Sequence, residues 1–252
     1  MKKWLVLGWV VMATAGFGAT ESWKNIQQSG TIRLATEGAF APFNYYEGKK
    51  LTGFEVELGT EVSKRLGLKS DWKAFPFDSL LIGLNQNRFD LVLASHGITA
   101  EREKAVDFSD PHYCTGGQII ALAGGPKTVA DLAGKTVAVQ VGTTYLDHVR
   151  QVKGIGEVKT FPRDTDCLQN LVTGHVDAWI TDKFAAKTAM QANGGAKFSA
   201  GDLLFQERIA MAVAKGNGQL LARVNGALEE ILKDGTYGKL SQKYFGEDIR
   251  CQ

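Results

Sequence analysis

Residues 89–111, FDLVLASHGITAEREKAVDFSDP, decide how this chain folds and point to what it holds. Leu91, Val92 and Leu93 form a short apolar run behind Asp90, the pattern of a buried strand. The run breaks into Ser95-His96-Gly97-Ile98-Thr99, small and polar residues with free backbone N–H groups. Glu101, Arg102, Glu103 and Lys104 follow in quick succession. A strand that ends in small residues and is followed by an arginine suits a bound carboxylate. Backbone N–H groups and hydroxyls donate, and the guanidinium forks onto both oxygens. The plainer alternative is a strand, a turn and the solvated start of a charged helix.

The same alternation of strand and helix extends in both directions. Upstream, Thr31–Thr36 alternates as a first strand and runs into the loop Glu37-Gly38-Ala39-Phe40-Ala41-Pro42-Phe43. Phe54, Leu58, Val62 and Leu66 recur every four residues, one face of a helix that Gly67 ends. Lys69–Ala74 reads as a second strand, followed by the aromatic loop Phe75-Pro76-Phe77 and a helix capped by Asp78. Downstream, strands are expected at Gln118–Leu122, Thr136–Val141, Lys159–Phe161, Val176–Thr181 and Ile209–Ala214. Leu220, Val224, Ala227, Leu228 and Ile231 line a late helix. The pair Asp78-Ser79-Leu80 and Phe89-Asp90-Leu91 is faintly echoed by Asp166-Cys167-Leu168 and Val176-Asp177-Ala178. These patterns imply two α/β lobes with mainly parallel sheets joined by a two-strand hinge. The expected boundaries are residues 22–112 for the first lobe, with 209–252 returning to it, and 113–208 for the second. Ligands of open α/β sheets bind beyond the strand C-termini, which places a site between the lobes.

Composition narrows the function. A 252-residue chain with a formal charge of +2 carries no signature of a nucleic-acid binder. Lys2 and Lys3 precede an apolar run from Trp4 to Ala15 and then small residues, so residues 1–19 read as a signal peptide cut near Ala19. Without them the chain holds 27 basic and 27 acidic residues. The mature protein is expected to be soluble, exported (periplasmic or equivalent) and monomeric. Cys114, Cys167 and Cys251 can supply one disulfide in an oxidising compartment. Their spacing leaves the pair open; Cys167–Cys251 is the expectation, as a staple for the tail. No spacing suits a metal, and no cofactor is expected.

Several short motifs, in this order, resemble the polar amino-acid-binding proteins of ABC importers. They include Ala35–Phe43, Gly53–Leu58, Phe77–Leu80, Ile98–Arg102, Val106–Pro111, Gly142-Thr143-Thr144, Val176–Ala178 with Asp182, and Gly235-Thr236-Tyr237. The resemblance runs from about residue 30 to 246 and implies a type II periplasmic-binding fold. It further implies that Arg102 clamps a ligand α-carboxylate with the N–H groups of Gly97 and Thr144. Asp182 and Ser95 would take the α-ammonium. Phe40 and Phe77 would sandwich the side chain, and Glu37 and Gln140 would read its far end. Each residue also has a plainer role: Asp182 as a helix cap, the two phenylalanines as core, Glu37 as the partner of a surface lysine. Gly97 departs from the hydroxyl residue often found at its position, which removes one donor.

Glu37 beside two aromatics favours a cationic side chain, as in Arg, Lys, ornithine or His, and can also accept from the amide of Gln. The expectation is therefore a solute-binding protein, not an enzyme. It would deliver a free L-amino acid, basic or Gln, to the membrane permease of an ABC importer. Two alternatives use the same architecture. One is an exported cyclohexadienyl dehydratase-like enzyme with Glu37 as general acid. The other is a ligand-sensing module that docks on a receptor.

Overall fold

The computed structural model describes residues 18–251. The expected signal segment therefore lies outside the described residues apart from its last two positions. The strands are β1 (Thr31–Thr36), β2 (Ala39–Phe40), β3 (Asn44–Glu47), β4 (Lys50–Thr52), β5 (Lys69–Ala74), β6 (Leu91–Val92) and β7 (Val106–Phe108). They continue with β8 (Tyr113–Leu122), β9 (Thr136–Gln140), β10 (Glu157–Phe161), β11 (Ala178–Asp182), β12 (Phe198–Ile209) and β13 (Ala212–Ala214). The helices are α1 (Gly18–Ser29), α2 (Phe54–Arg65), α3 (Leu80–Asn85), α4 (Ala100–Ala105) and α5 (Thr144–Val149). After these come α6 (Asp164–Val172), α7 (Lys183–Ala192), α8 (Gly218–Lys233) and α9 (Thr236–Phe245).

Two five-stranded sheets form, in the orders β5-β1-β6-β13-β7 and β10-β9-β11-β8-β12. In each, four strands run in one direction and one runs antiparallel to them, β13 in the first sheet and β8 in the second. The protein is thus a type II periplasmic-binding fold with two α/β lobes. The chain crosses from the first sheet to the second between β7 and β8, and returns between β12 and β13. Residues beyond β13 pack on the first lobe: the apolar stripe Leu220, Val224, Ala227, Leu228 and Ile231 of α8 is buried in one core with Trp23, Phe54 and Leu58. Burying such a stripe is what holds an amphipathic helix to a sheet.

Local chemistry explains the joints. Gly53, just before α2, has φ 122°, and a Cβ there would come within 2.3 Å of the Phe43 carbonyl oxygen. Only glycine lets α2 start so close to the loop that carries Phe40. At the second crossing, Ala210 N–H donates to the His96 carbonyl and Ile98 N–H to that of Arg208. The loop after β6 is thereby stitched to the hinge strand.

Two expectations need correction, and one strand was not foreseen. The bridge joins Cys114 to Cys251, whose Cα atoms are 4.8 Å apart, and not Cys167 to Cys251. Ile249 is buried and its carbonyl accepts from Cys114 N–H, so the tail lies along the start of β8. Cys167 faces inward from α6, fully buried in the second lobe's core with Leu171 and Trp179, beyond the tail's reach. The strand expected at 209–214 is two strands, because Ala210 and Met211 carry the chain from one sheet to the other. The 12-residue β12 has no counterpart in the sequence reading, and it begins well before Ile209.

Candidate functional site

A cleft between the lobes is lined by Glu37, Phe40, Phe77, Ser95, Arg102, Gln140 and Thr144, together with Ala94, Thr143 and Tyr145. Seven of the nine residues singled out from sequence meet there. Its envelope is about 280 Å³, yet the room left for solvent is only about 10 Å³, roughly one water molecule. The lobes are drawn together by side chains that reach across. Gln140 Nε2 of the second lobe donates to Glu37 Oε1 of the first at 2.7 Å. Arg102 NH2 donates to the Gly142 carbonyl at 3.0 Å.

Arg102 sits on α4, whose first turn is capped by Thr99 Oγ1 accepting from Arg102 N–H at 3.1 Å. Its NH1 donates to the Gly97 carbonyl at 2.8 Å, which ties the guanidinium to the loop after β6. Burial pulls its pKa down, and Glu207 and Asp147 oppose that pull. The guanidinium also lies 5.9 Å from the Phe77 ring centre. Phe77 stacks on His96 at 4.4 Å, and burial holds His96 well below the usual histidine range, so a neutral ring backs the aromatic. Phe40 is backed by Phe43 at 5.6 Å. Both cleft phenylalanines are thus fixed by a second ring.

Ser95 is held by Glu55. Its N–H donates to Glu55 Oε1 at 2.8 Å and its hydroxyl to Oε2 at 3.1 Å, with φ at 55°. Asn44 Nδ2 and His112 Nε2 complete that carboxylate's partners at 2.9 and 3.2 Å. Glu37 is served differently. Burial pushes its pKa to about 7, against the opposing pull of the Gln140 bond and the Arg163 cation.

Two nominated residues stand off the cleft wall. Asp182 is fully buried, and its Oδ1 accepts from Phe184 and Ala185 N–H at 2.6 and 3.1 Å, capping α7. Its Oδ2 accepts from Thr115 Oγ1 at 2.5 Å, and burial raises its pKa to about 6. Gly97 lies between Arg102 and Glu207, where a Cβ would come 2.1 Å from Glu207 Oε2. Glu207, on β12, escaped sequence reading. Its Oε2 accepts from Thr144 Oγ1 at 2.8 Å, and burial pushes its pKa to about 7. The missing side chain at position 97 was the available signal, since it makes the space this carboxylate fills.

Two α/β lobes joined by two crossing strands, with a polar and aromatic cleft between them, define a hinged ligand-binding protein. The chain belongs to the bacterial extracellular solute-binding proteins, family 3, whose model matches residues 32–247. It is 35% identical over 250 residues to the L-cystine-binding protein TcyJ of Escherichia coli K12, covering 97% of this chain and 92% of that protein. It is 32% identical over 232 residues to the lysine/arginine/ornithine-binding periplasmic protein of the same organism, covering 87% and 89%. Among solved structures, an ancestral arginine-binding protein bound to arginine superposes with a TM-score of 0.83 at 40% identity, covering 86% of this chain and 99% of that one. Among the described residues, no helix is long and apolar enough to cross a membrane.

Proposed function

We propose that this protein works outside the cytoplasmic membrane, capturing a free L-amino acid between its lobes and presenting it to an ABC importer. The observation that carries this reading is the cleft itself: Arg102 and Glu37 line one narrow space, with two braced aromatic rings between the lobes. Arg102 takes the ligand α-carboxylate, helped by the N–H groups of Gly97 and Thr144. Ser95 and the Oδ2 of Asp182 take the α-ammonium, a role a carboxylate keeps even while it caps a helix, because it has about four lone-pair sites. Phe40 and Phe77 flank the side chain, and Glu37 with Gln140 meets a cationic or amide group at its end. The relatives are binding proteins, and transport rather than the dehydratase alternative is the reading adopted.

The mechanism is a population shift. The cleft has no room for an amino acid until the lobes part, and a ligand that touches both lobes then favours closure. A ligand that binds only the folded protein raises its melting midpoint by mass action. Protein stripped of ligand by unfolding and refolding should therefore melt several degrees higher with its cognate amino acid. Arg102→Ala should lower the affinity about a hundredfold, since a buried carboxylate would lose its charged donor. No shift with any amino acid would overturn the reading.

A further inference from the structure

Glu207 projects from β12, the strand from which the chain returns to the first lobe. A Cβ on Gly97 would lie 2.1 Å from its Oε2 and 3.3 Å from Thr144 Cγ2, so this oxygen fills the place a side chain at position 97 would take. The same Oε2 accepts from Thr144 Oγ1 at 2.8 Å. Oε1 is shut off from solvent and, among the described residues, has no hydrogen-bond partner. Arg102, whose NH1 is fixed on the Gly97 carbonyl at 2.8 Å, acts on this carboxyl as a cation. The Glu207 carboxyl therefore stands among Gly97, Thr144 and Arg102, the three groups assigned above to a ligand's α-carboxylate.

Such a group has two states. Ionised, it only accepts, and it stands as a like charge beside an arriving carboxylate. Protonated, it carries an O–H: Oε2 keeps the bond from Thr144, and the unpartnered Oε1 has a proton to give. We propose that Glu207 is a ligand-binding residue that acts as the neutral acid, donating its O–H to the α-carboxylate held by Arg102, Gly97 and Thr144, so that the amino acid is bound together with a proton taken from solvent. This rests on the amino-acid reading of the cleft and adds a donor for the head common to every such ligand. Burial pushes the Glu207 pKa to about 7, against the pull of Thr144, Arg102 and Tyr145, while Asp182 adds to the rise. His148, Lys183 and the Asp248–Arg250 ion pair line the same cavity as its side chain. A carboxylate arriving beside it raises the group further, so binding takes up protons and affinity falls as the pH climbs through about 7.

The test is titration calorimetry on stripped, refolded protein, with L-arginine, L-glutamine and L-cystine as probes. Buffers of different ionisation heat count the protons exchanged on binding. The wild type is compared with Glu207→Gln, which is isosteric, keeps an acceptor for Thr144, carries a permanent donor and does not titrate. Glu37 and Asp182 also exchange protons when an ammonium arrives, but they do so in both proteins, so the difference isolates Glu207. For a probe that binds, the wild type should take up about half a proton more than the variant near pH 7, and from about pH 6 to about 8.5 its affinity should fall about tenfold further. Gly97→Ser combined with Glu207→Ala, which returns a hydroxyl to the place Oε2 fills, is a second reference, and its pH profile should follow that of Glu207→Gln. Equal proton counts and parallel pH profiles in wild type and variants, with a probe bound, would overturn the role of Glu207 and leave the amino-acid reading standing. No binding of any of the three probes would sink that reading and this inference with it.

Discussion

The cleft has a buried carboxylate under its floor and a half-buried one at its far end, and the two are treated in opposite ways. Glu55, below Ser95, takes hydrogen bonds from Ser95 N–H, the Ser95 hydroxyl, Asn44 and His112. Glu37, at the far end, is held by Gln140 alone. A buried charge with all its partners in place is part of the scaffold, and its remaining capacity to bind anything is small. A half-buried carboxylate left with open lone pairs is costly to the folded state when ionised and available to a ligand. The comparison separates the residues that shape this site from those that read its contents, without reference to sequence position.

The largest effect should come from the floor. Glu55→Ala strips partners from Ser95, Asn44 and His112 together and should destabilise the protein by about 3–5 kcal/mol. Urea unfolding measures this directly, and a loss below about 1 kcal/mol would break the comparison. Next is the far end. Glu37→Gln should leave stability unchanged or slightly higher, while weakening ligands with a cationic side-chain group about tenfold, or ~1.4 kcal/mol. A variant that unfolds instead would show that Glu37 is scaffold after all.

The smallest effect is a slope with pH. Burial raises Glu37 and Glu207 to about 7, Asp182 to about 6 and Asp164 to about 8. The folded protein therefore keeps protons on these groups over a range in which the unfolded chain has lost them. Stability they contribute at acid pH is lost as the pH rises from about 4 to about 8. The melting midpoint of ligand-free protein should fall across that window, and Glu37→Gln should flatten part of the fall. A midpoint that rises through the window would contradict the assignment of these carboxyls as groups whose protons burial holds on.

Sequence made much of this visible where side chains follow strand ends. Glu37 after β1, Arg102 after β6 and Gln140 at the end of β9 stand where an open α/β sheet exposes its ligands. Phe40, Phe77, Ser95 and Thr144 were legible for the same reason. Glu55 was not. Glu55 and Glu57 both sit in the first turn of α2, where an acidic residue ordinarily complements the helix dipole in solvent. Only tertiary packing under Ser95 sets the first apart. Glu207 was hidden because β12 alternates poorly and carries Gly201-Asp202, which reads as a turn. The disulfide was misassigned because a tail's path along β8 leaves no mark on local pattern. Asp182 was nominated for two roles from sequence, and the cap is the one whose hydrogen bonds the structure shows.

The bond from Gln140 to Glu37 has a consequence in time as well as in space. It spans the two lobes at the one carboxylate placed to meet the ligand's far end. A bound molecule that competes for Glu37 loosens this latch, whereas one that leaves the bond intact stays bolted in. On the proposed reading, the dwell of the cargo is then set at this latch, and a change at Gln140 alters the retention time together with the contact at the cargo's far end.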